Sequence, residues 1–348
     1  MKLKTNETAL PAGAAAGALA RTWTRSFTLR ASVLLSAALL TACGGGSSGN
    51  SFVAQRVFAF GDEASVINAD GSKYSINAVL ADNVSLDCAS NPIWIQAVAS
   101  RYGLVFPQCN VAAVPAVAPA SRIYAANGAK AGDVAAQIDG QVANGGFQAN
   151  DLATVLAGSN DIVAQFAQYP GVPEATLSAN LASAGTALAL QVNRLADLGV
   201  KVLVSTAPDL GRAPYAGDRS AGSTNANPAL LSRLSKAFND ALLVRLTNDG
   251  HRIGLIQLDA YVQAVDNARA AGSVTFVNTT LAACLSSAPL PTCTSQTLGT
   301  DAAAVPPPAT PASASATTWL WADALRLSAG GQTGLGALAT SRAQNNPF

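Results

Sequence analysis

The sequence predicts an α/β protein, a three-layer α/β/α sandwich around a mainly parallel sheet. Two observations carry the prediction. Short apolar runs alternate with longer segments in which apolar residues recur at helical spacing. Residues 51–348 are also enough chain for one large domain of this kind. Val57–Phe60 is the first strand and ends in Gly61-Asp62. Asn91-Pro92 opens a helix, with a capping residue and a proline at its first position, and the helix runs to about Tyr102 before Gly103. Leu152–Ala157 is a second buried strand, ended by Gly158. A long helix follows over Glu174–Leu198 and closes on Gly199, glycine being the usual residue just past a helix end. Val202–Ser205 is the third strand, Pro228–Asn248 the next helix, Ile253–Leu258 the fourth strand and Ala329–Thr340 a terminal helix. Strands separated by helices of this length pair in parallel, with helices on both faces. One stretch breaks the alternation. Thr300–Thr318, with Pro306-Pro307-Pro308 and Pro311 among alanines and serines, reads as a low-complexity surface loop.

Composition removes several function classes. Charged residues are only 12% of the chain, and the formal net charge is +1, so nothing draws it to nucleic acid or to an acidic partner. After residue 50 no run is long and apolar enough to span a bilayer. A monomer is the expectation, and no cofactor is implied.

The N-terminus carries an address. Arg21, Arg25 and Arg30 precede an apolar run, Ala31–Leu40, and then Leu40-Thr41-Ala42-Cys43. A basic stretch, a short apolar core and small residues at a cleavage site make a secretory signal over residues 1–42. Leu-x-Ala-Cys at that place resembles the bacterial lipobox. The resemblance implies cleavage before Cys43, acylation of its thiol and anchoring to a membrane of the bacterial cell envelope. Residues 43–50, mostly Gly and Ser, then form a flexible tether. Four cysteines remain: Cys88, Cys109, Cys284 and Cys293. In an exported chain an even count suggests disulfides, with three connectivities open. The local pairs are the simplest, each stapling a loop poor in core residues. The spacings suit no metal, and His251 is the sole histidine.

In open parallel sheets function gathers at the carboxyl ends of strands. The segments found there are Phe60-Gly61-Asp62-Glu63-Ala64-Ser65, Gly158-Ser159-Asn160-Asp161, Ala207-Pro208-Asp209-Leu210-Gly211 and Asp259-Ala260-Tyr261. Asn127-Gly128-Ala129 and Trp321-Ala322-Asp323-Ala324-Leu325-Arg326 complete the set. In order and placement these segments resemble the bacterial SGNH/GDSL esterases and lipases over nearly all of residues 55–343. That family carries Gly-Asp-Ser after its first strand, a glycine in its second block, Gly-x-Asn-Asp in its third and Asp-x-x-His before its last helix. The resemblance implies a flavodoxin-like sandwich acting on carboxylic esters, with Gly128 and Asn160 in the oxyanion hole and Asp323 orienting the base.

Two positions depart from the pattern. Glu63 stands where the family has its serine nucleophile, and Arg326 where it has its histidine base. Arginine stays protonated in proteins and cannot act as a base. A glutamate would place a carboxylate where the oxyanion must develop. An oxyanion hole alone retains about 10³-fold over water, far below a working enzyme. No other residue restores the triad: His251 falls at the amino end of the sheet, Ser65 is expected to cap the following helix, and Ser159 holds a variable position. Because serine and histidine touch in an active triad, Glu63 and Arg326 are expected to pair, with Asp323 on the same guanidinium. The first reading is therefore a catalytically inactive member of the fold, a surface-anchored binding or scaffold protein for an ester, lipid or glycan ligand. The alternative is an active carboxylic-ester hydrolase with a non-standard site. A third, a carboxylate-nucleophile enzyme, lacks a base to activate water.

Overall fold

A computed structural model describes residues 52–110, 121–217, 227–301 and 312–345. The expected signal segment 1–42, Cys43 and the expected tether to residue 50 lie outside them. Five strands form the central sheet: β1 (Arg56–Gly61), β2 (Ser121–Ile123), β3 (Asp151–Leu156), β4 (Lys201–Ser205) and β5 (Ile253–Ile256). Their order is β2-β1-β3-β4-β5, and every neighbouring pair is parallel. This is the doubly wound order of a flavodoxin-like sandwich. Apart from Arg56 and Lys201, the residues of β1, β3 and β4 are all buried, as a sheet covered on both faces requires.

Among the described residues eight helices accompany it: α1 (Trp94–Arg101), α2 (Val134–Ala143), α3 (Ser159–Phe166), α4 (Glu174–Asp197), α5 (Pro214–Gly217), α6 (Pro228–Arg245), α7 (Leu258–Ala270) and α8 (Ala329–Asn345). α4 buries Leu177, Leu181, Leu188, Val192 and Leu195, a stripe at helical spacing. It packs against α6, which buries Leu230, Leu231, Leu234, Phe238 and Leu242. The two approach so closely at Gly185 that a Cβ there would lie 2.2 Å from the Phe238 carbonyl oxygen. α1 and α8 pack together as a second pair.

The first helix starts later than the sequence implies. Asn91 does not cap it: its backbone is left-handed, with φ +48°, and its amide donates to the Ile76 carbonyl at 3.1 Å. The helix begins at Trp94, where the Gln96 side chain accepts the Ile93 N–H at 2.9 Å. α6 ends at Arg245 rather than Asn248. The last strand stops at Ile256, and Leu258 already belongs to α7.

A smaller apolar cluster sits beside the main core. Strands β6 (Asn278–Ala282) and β7 (Trp319–Trp321) pair in parallel, and Ile76, Ala283, Cys293, Ala314, Trp319 and Ala322 are buried together. The stretch expected as a loop over 300–318 contributes here. Thr300–Asp301 and Ala312–Ser313 form a short antiparallel ribbon, and Ala314 is buried; residues 302–311 lie outside the described set. Small alanines and serines fit this thin second layer despite their weak strand propensity.

Both disulfides are local, Cys88–Cys109 and Cys284–Cys293, with Cα atoms 5.2 and 5.9 Å apart. Such bonds persist in oxidising compartments. Among the described residues no helix is long and apolar enough to cross a membrane.

Two buried charged side chains, Asp151 and Lys73, leave no mark in the sequence pattern. Arg56 grips Asp151 with two hydrogen bonds of 2.7 and 2.6 Å at the amino ends of β1 and β3. Lys73, wholly buried, donates its ammonium to the carbonyls of Cys88, Ser90 and Asn91 at 2.7–3.0 Å. It thereby holds the disulfide loop down.

Candidate functional site

Sheet order reverses between β1 and β3, because β2 lies on one side of β1 and all later strands on the other. Crevices form at such a reversal, beyond the carboxyl ends of the strands. There β1 runs into a single 3-10 turn, Glu63–Ser65, whose cap is Asp62: its Oδ1 accepts the Ala64 N–H at 3.0 Å. After β2, Gly128 takes a left-handed φ of +75°, a conformation nearly free for glycine and costly for other residues. After β3, Gly158 takes φ +126° where a Cβ would lie 2.5 Å from the Phe238 ring. That turn starts α3 and delivers Asn160 in its first turn. The loop between β7 and α8 supplies Asp323 and Arg326. It is held by Tyr215 N–H to Ala324 O at 2.9 Å and Ala322 N–H to Arg326 O at 2.8 Å.

The structure brings Glu63, Gly128, Asn160, Asp323 and Arg326 to one place. Glu63 is buried, and its two oxygens divide the work. Oε2 accepts the Gly128 N–H at 3.0 Å and the Asn160 amide at 2.9 Å. Oε1 accepts Arg326 Nε at 3.0 Å and its terminal nitrogen at 2.7 Å. The other terminal nitrogen reaches Asp323 Oδ2 at 3.3 Å, while Asp323 Oδ1 accepts the backbone N–H of Leu325 and Arg326 at 2.8 and 2.6 Å. Asn160 also donates to the Ala129 carbonyl at 3.0 Å, which fixes its amide. The result is a closed network in which one carboxylate takes four donor contacts.

Electrostatics follow from burial and contacts. Burial alone would push the Glu63 carboxyl up, but Arg326, Asn160 and Gly128 outweigh it and hold it below the usual range. Arg326 is shifted further up: burial opposes its charge, and Asp323 and Glu63 more than compensate. Asp62 goes the other way. It is buried beside the charged Glu63, and both effects raise its carboxyl well above the ordinary value. Asp161 is raised by burial as well, while its carboxylate anchors the Gly128 loop through the Ala131 N–H at 2.9 Å.

Little space is left. The cavity beside Asp62, Glu63, Ser159 and Arg326 is ≈ 30 Å³, room for about one water. Gln332 lines it as well, and its buried amide nitrogen has no hydrogen-bond partner. Gln332 was not foreseen, since a glutamine inside a helix carries no signal in sequence. Asp62 belongs to the Gly61-Asp62 segment that ends β1, where its residue type alone assigns it no role.

Other residues singled out in sequence lie apart from this chemistry. Ser65 is not a helix cap: it is fully buried and its hydroxyl accepts the Trp94 indole N–H at 3.1 Å. Ser159 is the first residue of α3 and lines the small cavity. His251 is exposed in the turn before β5, at the amino end of the sheet. Among the described residues no group of three His, Cys, Asp or Glu side chains is placed to hold a metal ion.

No protein-family model matches the chain. No curated protein matches it. Among solved structures, a mutant of Axe2, an acetyl-xylooligosaccharide esterase from Geobacillus Stearmophilus, is similar over 61% of this chain and 81% of its own, at 12% identity and a TM-score of 0.31.

Proposed function

We propose that this chain is a non-hydrolytic binding or scaffold protein on an esterase-type α/β/α fold, held at the bacterial cell envelope by a lipid on Cys43. One observation carries the reading: the Glu63 carboxylate takes both donors, Gly128 N–H and Asn160, that an ester hydrolase would aim at its oxyanion. Such donors speed acyl transfer only when free for charge that develops in the transition state. Here a resident charge already uses them. Glu63 is also clamped by Arg326, which has no basic lone pair with which to activate water or a hydroxyl.

The test is hydrolysis of a short p-nitrophenyl ester by the unaltered protein and by the double variant Glu63→Ser with Arg326→His. The unaltered protein is expected to match the uncatalysed rate, and the double variant to exceed it, since Asp323, Gly128 and Asn160 stay in place. Turnover by the unaltered protein at about 1 s⁻¹ or more, an ordinary enzyme rate, overturns the reading. The anchor has its own test. Cys43→Ser should move the protein from the membrane fraction to the soluble fraction of the envelope, and retention in the membrane would remove the lipid from the proposal.

A further inference from the structure

With the switch-point crevice filled by the chain's own side chains, the space left for a ligand lies next to it. A cleft of ≈ 590 Å³ is lined by α5, by the segment from Thr280 to Leu290, and by Trp319, Asp323 and Ala324. That volume lies within the range typical of small-molecule sites, about 300–1,000 Å³. Its wall is mainly apolar. Leu281 and Leu285 line it while 38% and 44% exposed, and Leu290 and Trp319 complete the surface. The Cys284–Cys293 disulfide closes the loop that carries Leu285 and Leu290.

Charge in the cleft has one sign. Among the described residues Asp323 is its only charged lining residue. No Lys, Arg or His occurs anywhere between Arg269 and Arg326 in the sequence, so the part of the wall built from residues 280–290, Thr300 and residues 319–324 carries no cation. Asp323 is also not fully neutralised. Arg326 spreads one positive charge over Glu63 and Asp323, and its contact with Asp323 Oδ2 is the longer one, 3.3 Å against 2.7 Å to Glu63. The trio has a net negative charge. Asp323 Oδ2 keeps acceptor capacity, and the side chain is 24% exposed.

We propose that this cleft binds a small organic cation: a protonated amine carried on a compact apolar body, with the amine at Asp323 and the body against Leu281, Leu285 and Leu290. The proposal rests on the reading of the chain as a binding protein and names its ligand class. Anionic ligands, fatty carboxylates and phosphate esters among them, meet a carboxylate with no cation among the described lining residues to offset it. Neutral apolar ligands gain the burial but not the charge.

The experiment uses three probes of one shape: cyclohexylmethylamine, cyclohexylmethanol and cyclohexanecarboxylate, titrated calorimetrically into the protein at pH 7 and low salt. The amine is expected to bind at least tenfold more tightly than the alcohol, and the carboxylate more weakly than either. Leu285→Arg, a change at an exposed side chain that brings a cation into the cleft, should weaken the amine by tenfold or more. Asp323→Asn should bring the amine down to the affinity of the alcohol. Equal affinity for amine and carboxylate overturns the proposal. So does amine binding that Leu285→Arg leaves unchanged while circular dichroism shows the variant folded. Ester turnover by the unaltered protein, measured separately, bears on the non-hydrolytic reading and leaves these binding outcomes as they are.

Discussion

Glu63 and Arg326 form a pair whose attraction must offset the removal of two charges from water, so intact it adds little net stability, while breaking it leaves a buried charge alone. Glu63→Gln keeps the shape and removes the charge. It should cost about 2–4 kcal/mol, toward the lower part of the range for broken buried pairs because Arg326 retains some solvent, and a urea melt at pH 7 reads the loss. The acid side gives a second check. A carboxyl held below its ordinary value contributes stability that is complete above that value, about 4.5 for glutamate, and fades as pH falls through the folded-state value. The difference in stability between the unaltered chain and Glu63→Gln should therefore shrink below pH 4.5. Lys73 reverses the sign. Burial brings its ammonium down to about 8 from 10.5, so between those values the unfolded chain holds more protons than the folded one. Stability then rises with pH, by up to about 1.4 kcal/mol per unit. Thermal melts at pH 7.5 and 9.5 should show the unaltered chain gaining on Lys73→Met; a loss would reverse the assignment. These residues differ in how far sequence exposes them. Glu63 and Arg326 are visible because each stands at a fixed offset from a strand end or from Asp323. Lys73 is invisible, because its partners are carbonyls of residues 88–91 and backbone acceptors leave no mark in composition.

At the scale of elements, α4 and α6 pack backbone against backbone at Gly185. Gly185→Ala gains about 1 kcal/mol of helix propensity in an open helix. Here the new Cβ meets a backbone carbonyl at 2.2 Å, and overpacking of a core typically costs about 1–3 kcal/mol. The clash should win, and the melting temperature of Gly185→Ala should fall; a rise would mean the helices separate freely. Each disulfide closes a short loop, with sequence separations of 21 and 9, worth about 3 kcal/mol apiece by loop entropy. Reduction should lower the melting temperature, and Cys88→Ser with Cys109→Ser should lower it without a reductant. Long periodic elements such as α4 were readable, and so were strands rich in Val and Leu, since burial on both faces demands such runs. β2 was not: three residues, Ser-Arg-Ile, carry no periodicity. α7 hid because its first residue, Leu258, extends the apolar run of the strand before it, and α3 because it has only 8 residues. Asn91-Pro92 misled because a left-handed Asn before proline serves a turn as readily as a cap.

For the molecule as a whole, sequence supplies the alternation of strand and helix but not the order of strands in the sheet. That order decides the site. Only because β2 and β3 flank β1 do Gly128 and Asn160 converge on the residue after Gly61. The small second layer around Trp319 escaped sequence reading for another reason: its strands pair across nearly forty residues of chain, and parallel pairing at that distance leaves no local signature. The closed Glu63 network has a consequence for reagents. A carboxylate tethered in the same chain and well oriented competes at an effective concentration that reaches the order of 10⁵ M in favourable cases, whereas a dissolved phosphonate or fluorophosphate works at millimolar levels or below. Surveys that find hydrolases by tagging a reactive serine should pass over this chain, and Glu63→Ser with Arg326→His should bring it into their view.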